Sequence, residues 1–395
     1  MSFHISMSGL TAASKDLGVI GNNIANVNTA GFKGSRSEFS SVYNGQQPGG
    51  VQVASISQNF DQTGNIVGTG RSLDLAIGGS GFFVLNDGAG NTQYSRAGMF
   101  QMNSNGFIVS SDGAKLQGYP ADVNGNVMNG VITDLTVGTD SLKAQSTDKV
   151  DFTANLNAGA SIVDGVTNPF DPTNPDSYTS SYATTIFDSL GNEHTVEQYF
   201  VKTADNSWDV HAVVNGTLES SNALSFDTDG ALIAGQTYSV PFNPPGATPM
   251  TIDVNFDGTT QYGSDYIVTK NSTNGYTSGE YTGLRIDDDG SVFATYSNGQ
   301  SQLQGQVVLA DFTAPQGLQQ VSGTGWVATS ASGQPLVGAA GTGTYGEIYS
   351  GSIESSNVDL TESLVNLMDT NQYFTANMKA VNTIMETSRT VIQQL

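Results

Sequence analysis

Three histidines, His4, His194 and His211, are the side chains of this 395-residue sequence whose ordinary pKa suits proton transfer near neutral pH, and they are scattered. His4 falls in an N-terminal helical pattern. Glu197 stands three places after His194, but on a strand that spacing turns the two side chains to opposite faces. The pair therefore suits neither acid–base work nor a metal, and a solvated strand histidine is the expectation. There is no cysteine, which removes disulfides, thiolate metal sites and cysteine nucleophiles. Arg285-Ile286-Asp287-Asp288-Asp289-Gly290 has the outline of a calcium loop, yet Arg285 and Tyr296 occupy positions one and twelve, where Asp and Glu are required. It is expected to be a turn. Gly78-Gly79-Ser80-Gly81 lacks the Gly-Lys-Ser/Thr of a phosphate loop and runs into Phe82-Phe83, which fits the approach to a strand. The sequence argues for no catalytic, cofactor or metal site, and hence for a protein that is not an enzyme.

Charge narrows the class further. The chain carries 13 Lys+Arg against 36 Asp+Glu, a net of -23, which argues against nucleic acid as a partner because phosphates need basic surface. No apolar run approaches the length of a membrane span, so no membrane insertion is expected. The charge is also unevenly placed. Lys15, Lys33 and Arg36 outweigh Asp16 over residues 1–36, and Lys379 and Arg389 against five acids leave a net of only -3 after residue 351, so most of the acidity sits in the middle. Near-neutral ends can pack against copies of themselves, while an acidic middle stays in water. The N-terminus shows no Sec-type leader: its first Lys or Arg is Lys15, and no apolar stretch precedes a small-residue cleavage site. The expectation is a cytoplasmic protein or one exported without a cleaved signal peptide.

The elements that would position any working surface are legible in three textures. The last glycine is Gly351 and no proline follows it, so residues 352–395 are free of both helix breakers. Leu360, Leu364, Leu367, Phe374, Met378, Val381, Met385, Ile392 and Leu395 fall on alternating steps of four and three, interrupted by Asn371 and Ser388. That is a heptad seam on a helix of about 35 residues and roughly 50 Å. Ser356 or Asn357 is the expected N-cap, with Asp359 and Glu362 in the first turn. At the other end Phe3, Leu10, Leu17 and Ile24 recur every seven residues, with Ala13, Ile20 and Val27 on the second seam position. Gly9, Gly18 and Gly21 interrupt this seam and weaken it by about 1 kcal/mol each. These two seams are the candidate polymerisation surface, against the blander possibility of two helices docked on a globular core.

Between the ends, Tyr, Thr, Val, Ile and Phe alternate with polar residues, and turn pairs recur at Asp87-Gly88, Asp112-Gly113, Asn124-Gly125, Asp164-Gly165, Asp229-Gly230, Asp257-Gly258 and Asp289-Gly290. Trp208, Val210, Ala212 and Val214 share one strand face with Asp209 and His211 opposite. No strand–helix–strand alternation appears. Seven of the 11 prolines lie between Pro169 and Pro249, and residues 150–283 hold 16 acids against Lys202 and Lys270 alone. The fold expected is multidomain and mainly β, with two nested antiparallel β domains of barrel or sandwich type and long N- and C-terminal helices pairing as a coiled coil. The boundaries read as a helical domain of 1–30 and 358–395, connecting segments 31–70 and 351–357, an inner β domain of 71–149 and 284–350, and an inserted outer acidic β domain of 150–283.

Three blocks resemble a known family. Asn22-Asn23-Ile24-Ala25-Asn26-Val27-Asn28-Thr29-Ala30-Gly31-Phe32-Lys33 resembles the signature of flagellar rod and hook axial proteins. The block from Leu73 to Leu85 is similar to the one that opens the first β domain of hook and distal-rod subunits. Ser356–Glu362 and Tyr373–Lys379 resemble the shared C-terminal helix motif, apart from Asn371-Gln372, where the family often has Gln-Arg or Gln-Gln. Within the insert, Thr185–Thr195, Tyr199–Thr203 and Trp208–Val210 are similar to the outer domain of hook-type members, which the shorter distal-rod members lack. In the motif itself Asn22, Asn23, Asn26 and Asn28 suit a helix stop whose backbone needs side-chain partners, and Gly31 suits a left-handed cap. Phe32 and Lys33 complete it.

The resemblance implies a structural subunit of the bacterial flagellar hook, a basal-body-linked motility structure. It would be exported through the flagellar type III apparatus and self-assemble outside the cell into a flexible hollow tube. That tube would couple rod to filament, transmit torque and pass exported subunits. The implied partners are further copies of itself in a helical homopolymer, the distal rod protein, the hook cap protein, the hook–filament junction protein, the hook-length control protein and the export apparatus. Two other readings stay open: a distal-rod-type axial subunit, and an acidic β-rich secreted adhesin.

Overall fold

Downstream of Gly351 the chain does what a stretch without glycine or proline permits: Leu360–Gln393 is one α-helix, α2. Its partner is Ser2–Ala25, α1, which packs along it. The computed structural model describes residues 2–44, 47–122 and 125–393; Leu395 of the expected seam and Asn124 of the expected turns lie outside them. Asp359, rather than Ser356 or Asn357, caps α2. Its Oδ1 accepts from Thr361 N at 2.7 Å and Glu362 N at 3.1 Å, the side-chain capping geometry of a short carboxylate. Asn357 is occupied elsewhere: its Oδ1 accepts from Gly34 N at 2.8 Å and its Nδ2 donates to the carbonyls of Asn59 and Gln62.

The segment between α1 and the first β domain is ordered in a way the sequence reading does not anticipate. Ser35–Asn44 (β1) and Gln47–Gln58 (β2) form a long antiparallel hairpin, with Ser35 opposite Gln58 and two register shifts along its length. A two-stranded ribbon is marginal alone and needs a face to lie on. Here that face is α1, where Val51 N donates to Ser8 Oγ at 3.1 Å. At its root, Gln58 is tied by Gln316, Gln320 and the indole of Trp326, whose Nε1 donates to Gln58 Oε1 at 2.7 Å.

The chain divides into two compact units. The first comprises residues 1–139, 283–295 and 301–395. Its two chain arms run back antiparallel, Ile66–Gly68 beside Ser352–Glu354 and Leu75–Gly78 beside Glu347–Ser350. The long strand Ser301–Asp311 pairs with Lys115–Pro120, Phe82–Asn86 and Leu336–Ala339. An aromatic cluster of Phe82, Tyr94, Phe312 and Trp326 fills the space beneath, in edge-to-face contacts with ring centroids 4.8–6.0 Å apart.

The second unit comprises residues 140–282 and 296–300. Residues 140–149 belong to it rather than to the inner β domain, because Leu142 bridges Gly279 and Gln145 bridges Tyr276. Two five-stranded sheets enclose one apolar core, with Trp208, Val210, Ala212 and Val214 facing it as the alternation requires. Pairing is not antiparallel throughout: Lys149–Asn157 runs parallel to Met250–Asn255 and to Thr260–Tyr262, and antiparallel to Ile267–Thr273.

Many hairpin turns share one device. An Asp or Asn three places before the glycine accepts backbone N–H groups two and four residues on, as Asn103, Asp188 and Asp227 do. In Asp229-Gly230, therefore, the ordering carboxylate is Asp227, not Asp229.

Candidate functional site

The two helices run antiparallel. Thr370 Oγ1 donates to Asp16 Oδ2 at 2.9 Å, Gly9 sits against the Asn377 side chain, and Phe3 shares an open cavity of about 620 Å³ with Ile384, Met385 and Ile392. On α1 the buried residues are Ala12, Ala13 and Ile20; Leu10, Leu17 and Ile24 are half-buried, and Phe3 is exposed. On α2 the positions sheltered within the chain are Ser363, Leu367, Thr370, Phe374, Asn377, Val381 and Ile384, a four–three alternation, with Ala380 beside it. Every second member of that row up to Asn377 is polar. The partner side of the row is small or polar, with Gly9, Ala13 and Asp16, so the helices approach closely without a continuous apolar seam.

The seam expected from sequence is thus split by the structure. Leu367, Phe374 and Val381 are brought to the intrachain contact. Leu360, Leu364, Met378, Met385 and Ile392 are not: they are 44–73% exposed. With them on the surface of the same region are Phe3, Ile5, Met7, Val365, Met368 and Tyr373, and, on the hairpin, Phe39, Tyr43 and Ile56.

The Asn-rich motif is a helix stop that also fastens the next segment. Asn23 exchanges two hydrogen bonds with the Ser35 backbone, donating to its carbonyl at 2.6 Å and accepting from its N–H at 2.9 Å. Asn26 Nδ2 donates to Asn22 Oδ1 at 2.7 Å, and Thr29 Oγ1 donates to Asn26 Oδ1. Asn28 is exposed. Gly31 adopts φ +70°, and a β-carbon there would fall on the backbone of Arg96 and Ala97. Phe32 is buried.

Lys33 reveals what the motif is fastened to. Its ammonium lies 2.8 Å from Glu354 Oε1 and donates to the Gln62 carbonyl at 2.9 Å. Arg96 approaches the other carboxylate oxygen at 3.3 Å and donates to the Gly79 carbonyl at 2.8 Å; Gly64 N also donates to Glu354 Oε1. The three side chains are 1–4% exposed. Burial pulls the Lys33 ammonium below its ordinary pKa against the attraction of Glu354, with Arg96 adding repulsion; burial likewise lowers Arg96. One carboxylate thus holds the end of the α1 motif, the inner β unit and the strand that leads to α2. Glu354 and Arg96 carry no sequence signal of this role, since charged residues 321 positions apart, as Lys33 and Glu354 are, show no pattern.

The histidines stay apart. His194 is not solvated: it lies 3.2 Å from Asp188 Oδ2 and 2.9 Å from Asn215 Nδ2, with its ring edge-on to Phe242. Glu197 accepts instead from Tyr199 OH. His211 stacks on Phe170 and bonds Ser221 Oγ at 2.7 Å. Asp287, Asp288 and Asp289 sit in a hairpin turn closed by Gly290 N donating to the Asp287 carbonyl. Among the described residues no group of three or more His, Asp or Glu is placed to hold a metal ion, and no helix is long and apolar enough to cross a membrane.

Family models match along the length of the chain. Residues 3–33 match "Flagella basal body rod protein", 76–147 "Flagellar hook protein FlgE/F/G D1 domain", 155–276 "Flagellar basal body protein FlaE D2 domain", and 349–394 "Flagellar basal body rod FlgEFG protein C-terminal". Flagellar hook protein FlgE of Escherichia coli is 38% identical over 394 residues, covering 97% of each chain. That of Salmonella typhimurium is 38% identical over 395 residues with the same coverage, and that of Rhizobium meliloti 32% identical, covering 95% of this chain and 94% of that one. The crystal structure of Helicobacter pylori flagellar hook protein FlgE2 shares the fold with a TM-score of 0.56 at 14% identity, over 71% of this chain and 98% of that one.

Proposed function

The chain belongs to the flagellar hook protein family and is a structural subunit of the bacterial flagellar hook, and from that premise we propose that α1, α2 and the β1–β2 hairpin are the surface on which copies polymerise into a hollow, bending tube. The work is mechanical rather than catalytic. One observation carries the assignment. Half of the α2 heptad seam, Leu360, Leu364, Met378, Met385 and Ile392, is left uncovered by the chain's own α1. In a chain of net charge -23 that is otherwise built to stay in water, such an apolar row is an interface with another copy.

The remaining features follow. Residues 150–283 carry the acidic excess and most of the prolines, which suits the water-facing surface of the tube. Hydrated, polar β surfaces slide more readily than apolar ones, which suits a tube that curves while it turns. The subunit leaves the cell through the flagellar export apparatus. It seats on the distal rod protein, grows beneath a hook cap protein to a length set by a length-control protein, and hands over to the junction protein.

The test uses the split seam. Leu364→Asp and Met378→Asp place a carboxylate on a face that is exposed in the free subunit, so the β units fold normally. In the tube that carboxylate is buried without a partner, at a cost of several kcal/mol in every subunit. Negative-stain microscopy of the shed fraction should show no hooks from either variant. Curved tubes of ordinary abundance would remove the uncovered row from the interface.

A further inference from the structure

Beside α1 lies a groove of about 780 Å³, bounded by β2 and by residues 316–320. Val19, Val53, Ile56 and Leu318 give it an apolar lining, and Lys15 is the single charge among the lining residues. Gly18 faces into it with nothing within 4 Å of the point where a β-carbon would be. A glycine in a helix interior weakens the helix, and nothing within the chain requires this one. Such a residue is explained by something outside the chain that comes close to the α1 backbone.

The chemistry of the missing neighbour is set by charge and shape. The groove offers exposed Lys15, and residues 1–36 are net positive in an acidic protein. The complementary surface within the same sequence is the side of α2 turned away from α1. Leu364, Val365 and Met368 are 47–58% exposed there, with the exposed carboxylates of Glu362 and Asp369 seven residues apart along one edge. This is an amphipathic helix face with anchors at i, i+1 and i+4, of the kind that seats in an apolar groove.

We infer that the groove between α1 and β2 receives the outer face of α2, residues 362–369, from a second copy of this chain, with Glu362 and Asp369 against Lys15. The inference rests on the polymerisation reading and adds which surfaces meet. It makes the contact heterologous, groove to helix, so that each copy offers one of each and the assembly propagates rather than closing as a pair.

The test needs no variant. Hooks are repolymerised from equal amounts of light and heavy-isotope wild-type subunits, checked by negative stain, and treated with a carbodiimide, which joins an amine to a carboxylate only where the two touch. Peptides are then read by mass spectrometry. The expected product is a mixed-isotope pair joining Lys15 to Glu362 or Asp369. Hooks in which Lys15 couples only within its own chain, only to carboxylates outside α2, or not at all while other lysines couple, would overturn the inference and leave the polymerisation reading standing. Subunits that form no tube would sink both.

Discussion

Replacing Glu354 by Gln keeps the side chain's shape and removes its charge, which tests the buried junction directly. Wild-type Glu354 accepts from Lys33 at 2.8 Å, Arg96 at 3.3 Å and Gly64 N at 2.9 Å, with all three charged groups out of water. The amide can accept on one oxygen only and turns an N–H₂ towards a cation. Two buried positive charges then lose the carboxylate between them, although Arg96 keeps the attraction of Asp311. Breaking a buried pair this way costs about 3–5 kcal/mol. In a domain of about 150–250 residues each kcal/mol moves the melting point by roughly 2–4 °C, so the unit holding residues 1–139 and 301–395 should melt about 10 °C lower. The second unit's transition, followed separately by calorimetry, should not move. Lys33→Met should cost much less. Burial already lowers the Lys33 pKa and Arg96 repels the ammonium, so its removal relieves a penalty while Glu354 keeps Arg96. A Glu354→Gln shift under 2 °C, or a larger loss from Lys33→Met, would refute this account of the junction.

Two other outcomes follow from geometry already given. Gly31→Ala should destabilise the first unit by about 2–4 kcal/mol, seen as a lower melting point, because the new methyl meets the Arg96–Ala97 backbone at a positive φ. The second unit should lose stability in mild acid. Burial lowers the pKa of His211, with Asp209 only partly opposing, so its contribution is complete above the ordinary histidine value of about 6.5 and is lost as pH falls through the lower folded value. Amide exchange around Phe170 between pH 8 and pH 5 should show this, and His211→Phe should flatten it.

How far the sequence could be read varied with the range of the interaction. The two helices were legible because their signals are local: no Gly or Pro after Gly351, and heptads at both ends. The face each helix turns inward was not. Counting apolar residues puts Leu364 and Met378 in one seam with Leu367 and Val381, whereas the intrachain contact prefers Ser363, Thr370 and Asn377, which fit against Gly9, Ala13 and Asp16. Only knowledge of the opposite helix could show that polar residues fill those places. The β1–β2 hairpin had a readable clue in the alternating Val51, Val53 and the Asn44-Gly45 pair, but its many serines and glutamines read as a connection because the face it covers belongs to α1. The contacts of His194 were hidden for a similar reason: Asn215 comes from the turn after Val214 and Phe242 from a distant strand.

The position of Glu354 has a consequence for the order of events when the chain emerges from any narrow exit. Its partners are Lys33, Gly64 and Arg96, so the junction that seats both helices joins the first quarter of the chain to residue 354 of 395. Whichever terminus comes first, almost every residue must have left before the carboxylate and the two cations can meet. Strand 149–157 imposes a smaller version of the same delay, since its hydrogen-bonded neighbours all lie after residue 249. Its unit must wait for them, while the Asp- and Asn-closed hairpins, each spanning a few residues, can form at once. On the proposed polymerisation reading, the surface that joins a growing tube is therefore completed last, and a half-emerged chain has local turns alone.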